Sequence, residues 1–430
     1  MTRFDPSGPL RGSLRPPADK SISHRAALIA AMSEGETRIE GYLDAADTNS
    51  TLDAVRALGA EVRATGDSLR VAGVGLRDPR PAAIDVGNAG TLLRLLPGWL
   101  AGQDGGRWTL DGDDSIRRRP VDRVAEPLQL MGAQLSCREE RLPPLEISGA
   151  PLLGVEYELP VASAQVKSCL LFAGLMATGE TRIVEPLPTR DHSERMLVAA
   201  GAEVRREEHP DGAGGTVVIQ PAQRLEIDRI VVPADLSSAA FFVVAGLLIP
   251  GSEVLIHGVG LNPTRIGLLS ILERMGAEIE ATPVGEQGGE PIGDLRIVAS
   301  ELHATEVRGA EVPLAIDELP LVAFAACFAA GTTMIRDAAE LRRKESDRIA
   351  TVSAALNGLG GTVEPTEDGM VVTGTGGLRG GKVDSHGDHR IAMLGAVAGL
   401  ASAEGVEVRG MEAAAVSYPG FEADLASLLG

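Results

Sequence analysis

Gly201-Ala202-Glu203-Val204 and Gly276-Ala277-Glu278-Ile279 each close a helical pattern and open an alternating one. The same signal stands at Gly59-Ala60-Glu61-Val62, Gly132-Ala133-Gln134-Leu135 and Gly360-Gly361-Thr362-Val363. In chain order the leading glycines are 73, 69, 75 and 84 residues apart. Glycine takes the left-handed conformation that ends a helix at little steric cost, and the polar-then-aliphatic pair after it starts a strand. A period of this length is the mark of a repeated supersecondary unit.

A second helical pattern, almost wholly apolar, recurs in the same rhythm over 21–31, 90–101, 165–177, 237–248, 318–330 and 389–401. A helix apolar on every side is a buried one. Four of the six end in a glycine turn and a short strand, as at Gly179-Glu180-Thr181-Arg182-Ile183-Val184. The implied unit is strand, buried helix, strand, amphipathic helix and two strands, repeated about six times, with the last copy cut short near Gly430. Three units in each half predict two similar α/β domains with their helices packed inside sheets. One is 20–234; the other is 1–19 joined to 235–430, with the chain crossing near Lys20 and again near Asp235.

The 430 residues carry a formal net charge of -20, which excludes the broad basic surface that nucleic-acid binding requires. The longest apolar run, 239–250, is shorter than a bilayer span of about 20 residues. No signal or transit segment is read at the N-terminus, so a cytoplasmic protein without a membrane partner is expected. Cys137, Cys169 and Cys327 are odd in number and widely spaced, as reduced structural thiols are. Against this acidic background, Arg342-Arg343-Lys344-Glu345-Ser346-Asp347-Arg348 packs four cations into seven residues. A focused basic pocket in an acidic protein suits a small anionic ligand.

The buried helices start with residues that do not belong in a core: Lys20-Ser21, Asn88-Ala89-Gly90-Thr91, Ser163-Ala164-Gln165, Asp235-Leu236-Ser237-Ser238, Asp317-Glu318 and Asp388-His389-Arg390. A helix N-terminus offers unpaired N–H groups and about half a positive charge, favourable for phosphate or carboxylate. Taken singly, Asp235, Ser237 and Asp317 also read as ordinary N-caps, His389 as a core histidine and Arg117 to Arg119 as a solvated charge run. Capping, however, does not call for lysine, arginine or glutamine at equivalent positions.

Asp19-Lys20-Ser21-Ile22-Ser23-His24-Arg25, Gly87-Asn88-Ala89-Gly90-Thr91, Arg119-Pro120, Ser163-Ala164-Gln165-Val166-Lys167-Ser168, Arg190-Asp191-His192-Ser193-Glu194-Arg195, Arg343-Lys344-Glu345-Ser346-Asp347-Arg348 and Asp388-His389-Arg390 resemble the 5-enolpyruvylshikimate-3-phosphate synthase family in family order over nearly the whole chain. The resemblance implies a two-domain inverse α/β barrel of six βαβαββ units, closing on its substrates in the interdomain cleft. It implies transfer of the enolpyruvyl group of phosphoenolpyruvate to the 5-hydroxyl of shikimate 3-phosphate, without metal or cofactor, and glyphosate as an inhibitor. A monomer is expected. Lys20, Ser21, Arg25, Ser163, Ala164, Gln165, Arg190, Asp317 and Lys344 are the positions implied for shikimate 3-phosphate. Lys20, Asn88, Gly90, Arg119, Gln165, Arg348, His389 and Arg390 are those for phosphoenolpyruvate. Asp317 would take the proton from the attacking hydroxyl, and Glu345, with Lys20, would protonate the methylene carbon. Val416 stands before Ser417-Tyr418-Pro419 where many members carry lysine, and Asn262-Pro263-Thr264-Arg265 is similar to the second class of these enzymes.

Two rival functions share the scaffold. The sister transferase acting on UDP-N-acetylglucosamine carries a cysteine in the loop matching 114–119 and Lys-Asn where this chain has Lys20-Ser21; the cysteine is missing here. A noncatalytic phosphometabolite-binding protein would gain nothing from carboxylates at Asp317 and Glu345.

Overall fold

The computed structural model describes residues 1–209 and 214–429. All five repeat-heading glycines sit in the left-handed region, with φ between 88° and 108°. In each case the next amide donates back across the turn: Ala60 to the Val55 carbonyl, Ala133 to Leu128, Ala202 to Leu197, Ala277 to Leu272 and Gly361 to Leu356, at 2.9–3.0 Å. This bond satisfies a carbonyl that the helix end would leave orphaned, and it aims the chain into the next strand.

The chain divides into two compact units: Met1–Pro17 with Pro233–Gly285 and Pro291–Gly430, and Ala18–Val232 with Glu286–Glu290. The expectation of two crossings lacked the Glu286–Glu290 excursion, the turn between strands Glu278–Gln287 and Glu290–Val298. Among the described residues, each unit holds three small sheets. Their common form is seen where Ala82–Asp85 runs parallel to Arg107–Asp111, followed by the antiparallel strands Leu142–Ser148 and Gln134–Arg138.

Sheet completion explains why the termini of each unit belong together. Arg229–Val231 supplies the leading parallel strand for Glu36–Glu40, about 190 residues earlier. Arg11–Leu14 does the same for Glu253–Gly260, and Thr2–Phe4 pairs antiparallel with Val406–Arg409. The copy that the sequence leaves short is thus finished by the first strand of the chain.

The inner helices are Lys20–Met32, Gly90–Ala101, Ala164–Gly174, Leu236–Leu248, Leu319–Ala326 and His389–Ala401. In Leu236–Leu248 every residue but the last is buried. Gly90–Ala101 and Ala164–Gly174 approach so closely that a Cβ on Gly98 would lie 2.0 Å from the Cys169 carbonyl oxygen. Glycine in a helix interior costs about 1 kcal/mol relative to alanine, and here the close approach requires it. The third and fifth inner helices end earlier than expected, at Gly174 and Ala326, because the following amides bond three residues back: Met176 to Ala173 and Phe328 to Ala325. No helix among the described residues is long and apolar enough to cross a membrane.

Candidate active site

In the Ala18–Val232 unit the helix starts meet around Arg25, which is 2% exposed. Asp19 caps its helix by accepting from the Ile22 amide at 2.8 Å. One turn later Arg25 donates from Nε to Ser193 Oγ at 2.7 Å, from Nη2 to Ser168 Oγ at 3.0 Å and from Nη1 to the Ser21 carbonyl at 2.9 Å. All three partners are neutral. Burial lowers the guanidinium pKa to about 10, and the charge of Glu194 only partly opposes that. Lys20 Nζ lies 3.3 Å from Asp47 Oδ2.

The second cluster in this unit surrounds Gly90. Arg119 donates from Nη2 to Asn88 Oδ1 at 2.8 Å and to Ser115 Oγ at 3.2 Å, while Asn88 donates to Asp113 at 2.6 Å. Gln165 accepts from Arg94 Nη1 at 3.0 Å and donates to Thr91 Oγ1 at 3.1 Å, tying two helix starts together. Ser163 caps the helix that carries Ala164 and Gln165, accepting from the Val166 amide at 3.4 Å. Arg190 is half-buried at the end of the loop that precedes His192–Ala199.

In the other unit the arginines are bound to carboxylates. Arg348, the first residue of its helix and 1% exposed, pairs with Asp388 at 2.9 Å, Glu345 at 2.6 Å and Asp317 at 3.2 Å. These anions outweigh its burial and hold its pKa above the usual arginine value. Arg348 in turn holds the Asp388 carboxyl below its ordinary value against the effect of burial. Lys344 Nζ is 3.3 Å from Asp317 Oδ1. Arg390 donates to the Asp317 carbonyl at 3.0 Å, to Glu318 Oε1 at 3.1 Å and to Ser237 Oγ at 3.0 Å. His389 Nδ1 lies 3.9 Å from Asp388 Oδ1.

The N-cap reading fits Asp235, which accepts from the Ser237 amide, and does not fit the other two residues. Ser237 Oγ donates to Glu318 and accepts from Arg265. Asp317 precedes the cap position Glu318, which makes no side-chain capping bond. Glu318 and Arg265 are not among the site residues that the sequence points to, yet both are buried, 3.0 Å apart, within the network that holds Arg390. Their signal was present: Glu318 follows Asp317 at a helix start, and Arg265 ends Asn262-Pro263-Thr264-Arg265. Ser168 and Ser193 likewise lie inside charged motifs whose sequence alone assigns them no role.

Asp191, His192 and Glu290 bring potential metal-ligating atoms within 4.8 Å of one another. Two of these side chains hydrogen-bond directly, His192 Nδ1 to Glu290 at 2.7 Å, and Asp191 pairs with Arg195 at 2.9 Å. The cysteines are all free; burial raises the Cys327 thiol to about 12 and lifts Cys169 as well, so neither is a nucleophile.

Comparison with known proteins agrees over the whole chain. The model of the EPSP synthase (3-phosphoshikimate 1-carboxyvinyltransferase) family matches residues 4–425. A 3-phosphoshikimate 1-carboxyvinyltransferase of Synechococcus sp. (strain RCC307) is 49% identical over 98% of this chain and 97% of its own. One of Geobacter sulfurreducens is 49% identical over 97% and 96%. The solved EPSP synthase of Acinetobacter baumannii superposes with a TM-score of 0.86 at 41% identity, covering 100% of this chain and 98% of that one. With six small α/β sheets, a glycine-headed repeat and matches of this extent, the chain belongs to the EPSP synthase family and has its inverse α/β-barrel fold.

Proposed function

We infer that this chain transfers the enolpyruvyl group of phosphoenolpyruvate to the 5-hydroxyl of shikimate 3-phosphate, yielding 5-enolpyruvylshikimate 3-phosphate and inorganic phosphate. The observation that carries the chemistry is the sharing of one guanidinium by two candidate carboxylates. Arg348 holds Asp317 through Nη1 and Glu345 through Nη2. The reaction deprotonates an alcohol and protonates an enol carbon, opposite tasks that call for two carboxyl groups in different environments.

Asp317 is the base. Ion-paired by Lys344 and Arg348, it is an acceptor-only group. Glu345, the most exposed of the three carboxylates on Arg348, is the acid, with Lys20 assisting. Protonation of the methylene carbon leaves its neighbour electrophilic, and the substrate oxygen adds there as Asp317 takes the hydroxyl proton. The resulting ketal loses phosphate while a proton leaves the new methyl group, restoring the double bond. Arginines at the leaving phosphate stabilise its charge.

Arg119, Arg348 and Arg390, with Asn88, Gly90, Gln165, His389 and Lys20, serve phosphoenolpyruvate; arginine forks match its carboxylate and phosphate. An anion reaching Arg348 competes with Glu345 for Nη2 and so frees the acid. Ser21, Arg25, Ser163, Ala164, Gln165 and Arg190, with Lys20, Lys344 and Asp317, serve shikimate 3-phosphate. Arg25, whose hydrogen-bond partners among the described residues are neutral, retains a charge for that phosphate. Glyphosate occupies the phosphoenolpyruvate position, and the enzyme acts as a monomer in the cytoplasm.

Phosphate release from phosphoenolpyruvate, measured with each acceptor in turn, tests the reading. Turnover is expected with shikimate 3-phosphate and none with UDP-N-acetylglucosamine. The reverse result, or release with neither acceptor, overturns it.

A further inference from the structure

Lys167 follows the Ser163-Ala164-Gln165 stretch and has no role in the reaction as described above. Its side chain is fully buried. Nζ lies 2.6 Å from Glu194 Oε1 and 2.9 Å from Glu185 Oε1, and it donates to the Thr189 carbonyl at 3.5 Å. Thr189 Oγ1 donates to Glu185 at 2.5 Å, and Arg206 pairs with the other Glu185 oxygen at 2.7 Å. Two cations therefore balance two carboxylates.

Burial alone would lower the Lys167 pKa, but Glu194 and Glu185 outweigh it and hold it above its ordinary value. Burial and the like charge of Glu185 raise Glu194, against the pull of Lys167. A buried charge network of this kind is weak evidence for stability, since well-packed apolar side chains often serve as well. Its location suggests another use. Lys167 and Ser168 are neighbours on one helix, and Ser193 and Glu194 are neighbours on another. Lys167 meets Glu194 while Ser193 donates to Ser168 at 2.7 Å, and Arg25 donates to both serines. The same lysine holds the Thr189 carbonyl immediately before Arg190.

Glu194 is the carboxylate that acts most strongly on Arg25. Resting on the assignment of Arg25 and Arg190 to shikimate 3-phosphate, we propose that Lys167 is a positioning residue: it keeps Glu194 engaged, so that Arg25 remains available to the substrate phosphate and the Arg190 loop stays in place. Without Lys167, Glu194 is a buried carboxylate that has lost its ion-pair partner, and its charge acts on Arg25 in competition with the ligand.

Steady-state kinetics of Lys167→Met, with each substrate varied in turn, provide the test, and circular dichroism and thermal unfolding check the fold. The KM for shikimate 3-phosphate is expected to rise about tenfold or more while that for phosphoenolpyruvate changes less than about threefold. The double variant Lys167→Met, Glu194→Gln is expected to recover most of the loss, because the competing charge is gone. A merely structural lysine would instead show its loss and recovery in thermal unfolding, with the two KM values moving together. If Lys167→Met does not fold, Lys167→Gln with and without Glu194→Gln makes the same comparison. An unchanged KM for shikimate 3-phosphate, or a double variant no better than the single, overturns the proposal. Arg25→Ala run alongside separates the two readings. If it too leaves that KM unchanged, the assignment of Arg25 fails; if it raises the KM and Lys167→Met does not, only the role of Lys167 fails.

Discussion

Arg25 and Arg348 are both buried near helix starts, one in each unit, and they differ in what holds them. Two serine hydroxyls and a backbone carbonyl grip Arg25; three carboxylates grip Arg348. The pKa responses follow, with Arg25 lowered to about 10 and Arg348 raised. The difference separates two uses of one residue type. A guanidinium set among neutral groups keeps its charge for an incoming anion, whereas one set among carboxylates spends it on fixing their positions. In this chain the first suits binding of a phosphate, and the second suits holding a base and an acid at set distances.

The most severe way to break this comparison is to remove the charge from each arginine. Arg348→Met strands Asp388, whose side chain is fully buried, and should destabilise the fold by about 3–5 kcal/mol in urea unfolding. Arg25→Met strands no ion-paired carboxylate and should lose markedly less. Equal losses would show that the two environments do not differ as their partners indicate. Next in size is Asp317→Asn, which keeps the shape held by Arg348 and Lys344 but removes the base. Turnover should fall at least about a hundredfold, or about 2.7 kcal/mol, with both KM values nearly unchanged. Unchanged turnover would reject Asp317 as the base.

How much of this could be read in the sequence depends on how local the physical cause is. The repeat was legible because a helix that ends in the left-handed region nearly requires glycine, so Gly59, Gly132, Gly201, Gly276 and Gly360 mark their turns without tertiary information. The ends of the third and fifth inner helices were not legible, since the apolar run continues through 175–177 and 327–330 while the hydrogen bonding tightens beneath it. The docking of Glu286–Glu290 was hidden for a different reason. Gly288-Gly289 signals a turn, but its partners His192 and Arg195 lie about 95 residues earlier in the chain. The charged motifs identified candidates and left their partners open: nothing local distinguishes Arg25, destined for hydroxyls, from Arg348, destined for carboxylates. Glu318 and Arg265 went unassigned because each makes sense only beside Arg390.

His24 reports on the uncompensated side of the comparison. Its Nδ1 is 2.6 Å from Thr51 Oγ1, and burial, then Lys20 and Arg25, lower its pKa from 6.5 to about 3. The unfolded chain therefore binds a proton that the native state refuses between those values, so stability is full above about pH 6.5 and declines as the pH falls towards 3. The slope from this one group is about 1.4 kcal/mol per pH unit. His24→Asn, which retains a polar atom near Thr51, should flatten the acid limb of a stability profile measured in urea between pH 7.5 and 5. An unaltered slope would mean that other groups govern it.

The smallest expected effect is at Gly90, and it sharpens the comparison because it disturbs an arginine without removing it. A Cβ at this position would lie 2.8 Å from Arg119 Nη1 and 3.4 Å from Arg94 Nη1. Both atoms end flexible side chains, so the collision is relieved by displacing a guanidinium and not by moving backbone. Gly90 starts an α-helix and has no positive φ, so alanine adds no backbone strain. Gly90→Ala should therefore leave the unfolding midpoint nearly unchanged, with helix propensity offsetting the contact by up to about 1 kcal/mol. Arg119 would shift from Asn88 and Ser115, and the KM for phosphoenolpyruvate should rise about three- to tenfold, or ~0.7–1.4 kcal/mol, while that for shikimate 3-phosphate stays within about twofold. A rise in the KM for shikimate 3-phosphate instead would assign Arg119 to the other substrate. A loss of stability without a kinetic change would show that Arg119 fixes the loop and does not bind.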